Sequence, residues 1–528
     1  MASAARRAWA APLVAHAVLL AIILVALACV VGTGNSLSED EGAAIVQARQ
    51  LAEHHTWIVA DPVPAADPTG AFYPYRLSET GAHGRAPFAR HPVYVDALAG
   101  LWSFGGANAI VGLSLLGTVL AALASAALAA RFEARLARPA LWVAGIGTPL
   151  LFDGFLVIAH TLAAAAAGWL VLAARPSKRS AGSVVGAALL AAAVTFVRTE
   201  GLLFVAAIVV VGLCFRARAG AIAALAGASA AVIIDSLWLR RILGPRVALS
   251  STGGGAVGQP HDIASRVHGA ITTLIRFTYP DGDRVNILLF IAMVLTAVAG
   301  CLFRWRPQLA VALMWAAAAA VVIRVVAGHP QVVPGLFAVC PVLWAAVWAR
   351  GFGWRVGTAR PLVVLCVLFG LAVLATQYAE GGGIEWGGRY FALALPVAVA
   401  LAAKTLVGAP RPLLVGLAVS SVALAGLGVG ALRLSHQHTQ RLRSAIPPNG
   451  LAITTAGLLP RLDWPAFDHR RWLLVENPKQ VPLALRRLRA AGVDRVSVVF
   501  PDALTPPSFA GSGVPVPGMA WRVAVVTP

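Results

Sequence analysis

The chain alternates long, unbroken apolar runs with short polar gaps. Runs at about 10–32, 106–130, 140–158, 160–174, 183–197, 201–215, 220–239, 286–303, 308–326, 334–349, 361–378, 390–408 and 413–432 predict about thirteen transmembrane helices. An apolar run of about 20 residues crosses a bilayer as a helix. Every backbone group must be paired in lipid, so only helices and closed barrels span it; runs without alternation select helices. Three polar stretches interrupt the pattern, at 33–92, 244–285 and 433–528. The first opens on Glu39-Asp40-Glu41, continues into a helix over 43–55, and turns at Asp61-Pro62 and Asp67-Pro68. It ends at His91-Pro92-Val93-Tyr94, and a short apolar segment to Phe104 then lies at the interface. In the last stretch, 451–455, 472–475, 496–500 and 523–526 read as strands and 480–491 as a helix. The expected fold is an all-α polytopic membrane domain over 1–432 and a small α/β domain over 433–528 that lacks a nucleotide-binding glycine loop.

Composition sharpens this picture. Of 528 residues 59% are hydrophobic and 12% charged, against about 45–50% and about 25% in soluble domains. Mean hydropathy is +0.78. The net charge of +20 is a topology signal more than a nucleic-acid footprint, because most basic residues sit in short gaps between runs, where they orient helices. With Arg6 and Arg7 holding the N-terminus inside, the Arg/Lys clusters after even-numbered runs all fall on the cytoplasmic side. The three polar stretches then share the extracytoplasmic face. Arg240, Arg241 and Arg246 depart from the rule; they either bind an anion, such as a lipid headgroup or phosphate, or anchor their helix by snorkelling. The run over 10–31 is long for a signal peptide, which predicts a retained first helix. All five cysteines lie in apolar runs without a CxxC, which argues against a disulfide framework or zinc site.

The candidate chemistry begins with the three acids. Such a cluster is a solvated loop, a helix cap favoured by the N-terminal dipole, or a working site. At a lipid–water boundary a carboxylate can serve as general base toward an acceptor hydroxyl, or hold a divalent metal such as Mg or Mn. Ionisable residues at span ends are the second signal, because they are costly there. Asp153 and His160 bracket the third-to-fourth turn, Arg198 and Glu200 occupy the fifth-to-sixth, and Arg389 precedes the twelfth run in Trp-Gly-Gly-Arg-Tyr. Arg198 and Glu200 either pair with each other or face a ligand. A guanidinium beside glycines suits a phosphate. Arg324 and His329 sit in a less telling context.

Taken together, the Asp40-Glu41 pair, His91-Pro92-Val93-Tyr94, His160-Thr161-Leu162, Arg198-Thr199-Glu200-Gly201 and Trp386-Gly387-Gly388-Arg389-Tyr390 resemble the GT-C superfamily of polyprenyl-phosphate-sugar-dependent glycosyltransferases. The protein mannosyltransferase and aminoarabinose transferase branch is the most similar. The resemblance covers roughly 10–410 and rests on order and spacing; a second proline usual before the aromatic of the first-loop motif is missing here. It implies inverting transfer, outside the cytoplasm, from a polyprenyl-monophosphate sugar to a hydroxyl of a glycan, lipid or protein. By the motif match Asp40 is the general base and Glu41 a supporting or metal-binding acid, with any divalent metal left open. Arg389 holds the donor phosphate, assisted by Arg198 or His160. Glu200, His91, Tyr94, Arg240 and Arg241 are expected to line the substrate site, and Glu39 to matter least of the three acids. The competing reading is a transporter or lipid flippase, which predicts internal repeats and mid-membrane helix breaks; no repeat is visible.

Overall fold

A computed structural model describes residues 2–75, 78–81, 84–174, 180–244, 263–278, 284–349, 359–376, 386–509 and 512–528. Arg175, Lys178, Arg179, Arg246, Arg350 and Arg355, the first part of the 244–285 stretch and residues 380–385 before Arg389 lie outside the described residues.

Each predicted run becomes a helix or a broken pair of helices. In chain order the elements are α1 (Ala2–Val31), α2 (Glu39–His54), strands β1 (Val59–Ala60), β2 (Ser78–Gly81) and β3 (Gly84–Ala86), α3 (Pro92–Ala129), α4 (Ala137–Ile146), α5 (Leu150–Asp153), α6 (His160–Ala173), α7 (Ala181–Val197), α8 (Glu200–Cys214) and α9 (Arg218–Leu243). Then come α10 (Ile263–Ile275), α11 (Ile287–Leu302), α12 (Pro307–Ala327), α13 (Leu336–Val339), α14 (Pro341–Trp348), α15 (Arg360–Thr376), a 3-10 segment (Arg389–Ala394), α16 (Leu395–Thr405) and α17 (Arg411–Ala445). The chain ends in β4 (Gly450–Thr454), α18 (Leu459–Leu462), β5 (Arg470–Leu474), α19 (Val481–Ala490), β6 (Val496–Pro501), β7 (Val514–Pro515) and β8 (Trp521–Val526).

Among the described residues, six helices are long and apolar enough to cross a membrane and four shorter apolar ones accompany them. The protein is therefore a multi-pass membrane protein. The third, tenth and twelfth predicted runs are not straight spans. The first of them breaks at Gly147-Thr148-Pro149 between α4 and α5, the second at Cys340-Pro341 between α13 and α14, and the last opens as a 3-10 segment before Pro396. Proline supplies no N–H and clashes with the preceding turn, and neighbouring groups take up the freed polar atoms. Thr148 Oγ1 donates to the Ala144 carbonyl at 2.7 Å and Cys340 Sγ to the Gly147 carbonyl at 3.3 Å. Helix α3 kinks at Gly105 and Gly106, the latter at φ +57, where the sequence separates an interfacial segment from the second span.

The chain divides into two compact units. One comprises Met1–Val31, Val111–Ile234 and Gly255–Leu432; the other comprises Gly32–Ile110, Asp235–Gly254 and Arg433–Pro528. The first is a helical bundle. It includes α10, which falls inside a stretch expected to be polar. Ile263, Val267 and Ile271 recur every four residues on an exposed face, while Gly269, Thr272 and Thr273 are buried.

The second unit joins the first loop to the C-terminal segment. Its larger sheet runs β5-β4-β6-β8-β7. Strand β4 is parallel to β5 and β6, and β8 is antiparallel to β6 and β7. Helix α19 packs Val481, Ala484 and Leu488 onto this sheet, in one core with Ile453, Leu473 and Val498. Ala66 and Phe72 of the first loop belong to that core, and Leu474 N–H donates to the Phe72 carbonyl at 2.7 Å beside β5. The segment after residue 432 thus shares its core with 33–92 rather than closing on itself. A small antiparallel sheet, β1-β3-β2, completes the loop. The predicted Asp-Pro turns form: Asp61 accepts from Val63 N–H at 2.8 Å, and Asp67 from Ala71 and Phe72 N–H at 2.8 and 2.7 Å.

Candidate functional site

The three acids meet three different fates at the start of α2. Ser38 is the N-cap in an extended conformation, and its Oγ accepts from Glu41 N–H at 3.3 Å. The Glu41 carboxylate reaches back and accepts from Leu37 N–H at 2.7 Å. This Ser-x-x-Glu reciprocity is close to a capping box, which satisfies the orphan donors of a helix start. Glu41 is buried as a result, at 1% exposure. Glu39 turns outward and pairs with Arg461 at 2.5 Å. Asp40, half-buried between them, has no side-chain hydrogen bond or ion pair among the described residues.

The rest of α2 is fixed within the same unit. A methyl on Gly42 would stand 2.2 Å from the Arg461 carbonyl oxygen, so only glycine lets the two backbones approach. Arg49 donates to the Trp464 carbonyl at 3.1 Å, pairs with Asp468 and Glu53, and lies over the Trp102 ring. Tyr73 and Tyr75 anchor the following loop; burial pushes both hydroxyls above their ordinary value. His91-Pro92-Val93-Tyr94 is the start of α3. His91 adopts φ +55 and its carbonyl accepts from Tyr94 and Val95 N–H, with Pro92 in the first turn, where a missing N–H costs nothing. Tyr94 is buried. Arg240 and Arg241 are exposed in the last turn of α9 and have no salt bridge among the described residues.

The remaining candidates lie in the helical unit. Arg198 closes α7 in an extended conformation and Glu200 opens α8. Gly201 packs against the Val194 carbonyl, so the hairpin is tight. Within it Arg198 and Glu200 form a two-pronged pair, Nε to Oε2 at 2.9 Å and Nη2 to Oε1 at 2.6 Å. Arg389 and Tyr390 lie within electrostatic reach of Arg198, and the Arg389 guanidinium sits 5.3 Å from the Tyr390 ring centroid. Two left-handed glycines set up Arg389: Gly387 at φ +67, its N–H donating to Val333 at 2.9 Å, and Gly388 at φ +63. A methyl on Gly388 would meet the Thr273 carbonyl of α10 at 2.7 Å. Trp386 stacks on Phe152 at 5.6 Å. His160 is buried as the first residue of α6. Helices α6, α8, α15 and α16 all pack against the 3-10 segment that begins at Arg389. Arg198, Glu200 and Arg389 are therefore brought together, and the helix carrying His160 adjoins them.

Consecutive helical positions diverge by about 100°, and the Glu41 carboxylate is turned onto the Leu37 amide. Among the described residues a group with metal-binding proximity is Glu53, His54 and Asp468, all exposed. Sequence reasoning missed Arg461 and Arg49, since the contacts of α2 span more than 400 positions. It also set apart Arg324, which is fully buried, bonds Asn286 and donates to the His329 carbonyl at 2.9 Å.

No protein-family model and no curated protein matches the sequence. Solved structures do. ArnT from Cupriavidus metallidurans in the apo state aligns over 99% of this chain and 98% of its own, with a TM-score of 0.50 and 14% identity. The same protein bound to undecaprenyl phosphate aligns over 96% and 97%, with a TM-score of 0.48 and 15% identity. ArnT is a GT-C glycosyltransferase. At this identity the likeness is one of architecture: the chain has the GT-C fold that the order of its motifs led us to expect.

Proposed function

We propose that the protein is a membrane glycosyltransferase that moves a sugar from a polyprenyl-phosphate donor to an acceptor hydroxyl outside the cytoplasm, with inversion. The observation that carries the reading is the division of labour at α2. Glu39 is paired and Glu41 caps the helix, while the Asp40 carboxylate is left with its acceptor capacity unspent among the described residues. A general base needs that capacity at the moment the hydroxyl gives up its proton. In this reading Asp40 takes the proton, the acceptor oxygen forms its bond to the anomeric carbon, and the carbon–phosphate-oxygen bond breaks. The departing polyprenyl phosphate carries the electron pair.

Arg389 is the residue we assign to the donor phosphate, where charge grows during departure. Arg198, whose charge is balanced by its two-pronged pair with Glu200, assists beside it as a hydrogen-bond donor, and His160 completes that end. His91, Tyr94, Arg240 and Arg241 are assigned to substrate contacts around the first loop. The GT-C fold supports this assignment, and ArnT, which shares that fold, binds undecaprenyl phosphate. The test is consumption of radiolabelled mannosyl, arabinosyl and aminoarabinosyl polyprenyl phosphates by the purified protein in lipid, offered with envelope glycan, lipid and protein acceptors. Transfer from one of them is expected; a wild type that consumes none sinks the reading.

A further inference from the structure

Helix α2 is gripped from one side along its whole length by residues of its own unit. At the first turn Arg461 Nη1 donates to Glu39 Oε2 at 2.5 Å, and the Arg461 carbonyl lies against Gly42. Farther along, Arg49 donates to Trp464 at 3.1 Å, pairs with Asp468, and lies 5.6 Å from the Trp102 ring centroid. Trp102 in turn donates to Glu53 at 3.0 Å and meets Trp464 edge-on. Glu39, Gly42, Arg49 and Glu53 fall on one helical face by the 3.6-residue repeat, and Asp40 stands about 100° away from Glu39, off that face. The contacts therefore fix the rotation of the helix about its axis, and with it the direction of the Asp40 carboxylate. Arg461 contributes twice, through its side chain to Glu39 and through its backbone to Gly42.

We infer that Arg461 is a positioning residue for Asp40, and that the C-terminal α/β segment aims the base instead of serving as a separate module. This rests on the reading of Asp40 as general base. A displacement of about 1 Å at a reacting group costs up to about a hundredfold in rate, so loss of one of several anchors is expected to cost about tenfold.

The test uses the full-length protein in lipid nanodiscs with the mannosyl, arabinosyl and aminoarabinosyl polyprenyl phosphates named above. Arg461→Ala is expected to lower kcat about tenfold with KM for the donor and the melting temperature unchanged. Arg461→Lys should restore most of the rate. Glu39→Gln, which cuts the same pair at its exposed end, should reproduce the loss and carries the test alone if Arg461→Ala does not fold. Wild-type kcat in these variants beside an inactive Asp40→Asn overturns the positioning role and leaves the glycosyltransferase reading standing. A raised KM with kcat unchanged also overturns it, because that would place Arg461 in donor binding. An Asp40→Asn protein that turns over at the wild-type rate overturns the reading, and the positioning role with it.

Discussion

At the scale of single residues, two positions separate effects that composition alone would confuse. Gly42 lies in the first turn of a helix, where alanine would gain up to about 1 kcal/mol of helix propensity. The Arg461 carbonyl stands 2.2 Å from where its methyl would go, and overpacking of this kind costs about 1–3 kcal/mol. Packing wins, so Gly42→Ala is expected to lower stability by about 1–2 kcal/mol in thermal or denaturant unfolding; a stabilised variant would show that the contact yields. Asp463 is the second case. Its carboxylate accepts from Arg470 at 2.8 Å and Trp472 at 2.9 Å inside the second unit. Burial raises its pKa above the ordinary carboxylate value although Arg470 pulls the other way. The folded value thus exceeds the unfolded one, so the group's contribution is full below the unfolded pKa and is lost as pH rises through the folded pKa. Melting curves should therefore favour wild type over Asp463→Asn more at acidic than at neutral pH. Asp463→Ala should cost about 3–5 kcal/mol at neutral pH by stranding the Arg470 charge.

At the scale of elements, apolar periodicity was a reliable guide to the membrane region and to the C-terminal strands. Continuous runs place helices, and alternation bounded by turn residues places β4, β5, β6 and β8 within a few residues of where they form. It failed where order comes from distant partners. Arg49 and Arg461 are ordinary basic residues until the chain brings segments more than 400 positions apart together. The breaks at Gly147-Thr148-Pro149 and Cys340-Pro341 were concealed because their flanks remain apolar. Helix α10 was hidden because four-residue spacing of Ile263, Val267 and Ile271 was masked by polar neighbours. The loop before α16 offers a check. Gly388 combines φ +63 with a carbonyl 2.7 Å from a would-be methyl, whereas Gly408 has φ +83 and open space. Gly388→Ala should weaken donor use at least tenfold, since the strain and clash of about 2 kcal/mol or more act directly on Arg389. Gly408→Ala should cost only the left-handed penalty of about 1 kcal/mol in stability. Equal effects on donor turnover would separate Arg389 from the donor.

For the whole molecule, the sequence made the architecture legible and left the site half-read. The order of five short motifs pointed to the GT-C fold at a level of identity, 14%, where no family model responds. Adjacency alone gives Glu39, Asp40 and Glu41 equal standing; the family resemblance ranks Asp40 first and Glu39 last, and the cap and Arg461 give each acid a different set of partners. Topology is the largest expectation that follows from charge. A cysteine placed at the exposed Ala71, in a background freed of the native cysteines, should react with a membrane-impermeant maleimide in intact cells. Labelling only after permeabilisation would put the first loop in the cytoplasm and remove the basis for an extracytoplasmic reaction.

The central claim, that Asp40 is the base of a glycosyl transfer, is tested most directly by single-turnover transfer from a radiolabelled polyprenyl-phosphate sugar by folded Asp40→Asn protein in lipid. The amide is nearly isosteric but cannot take the proton, and loss of a general base costs about 10²–10⁴-fold. A fall of that size with donor binding retained is the predicted result; transfer at the wild-type rate would contradict the account.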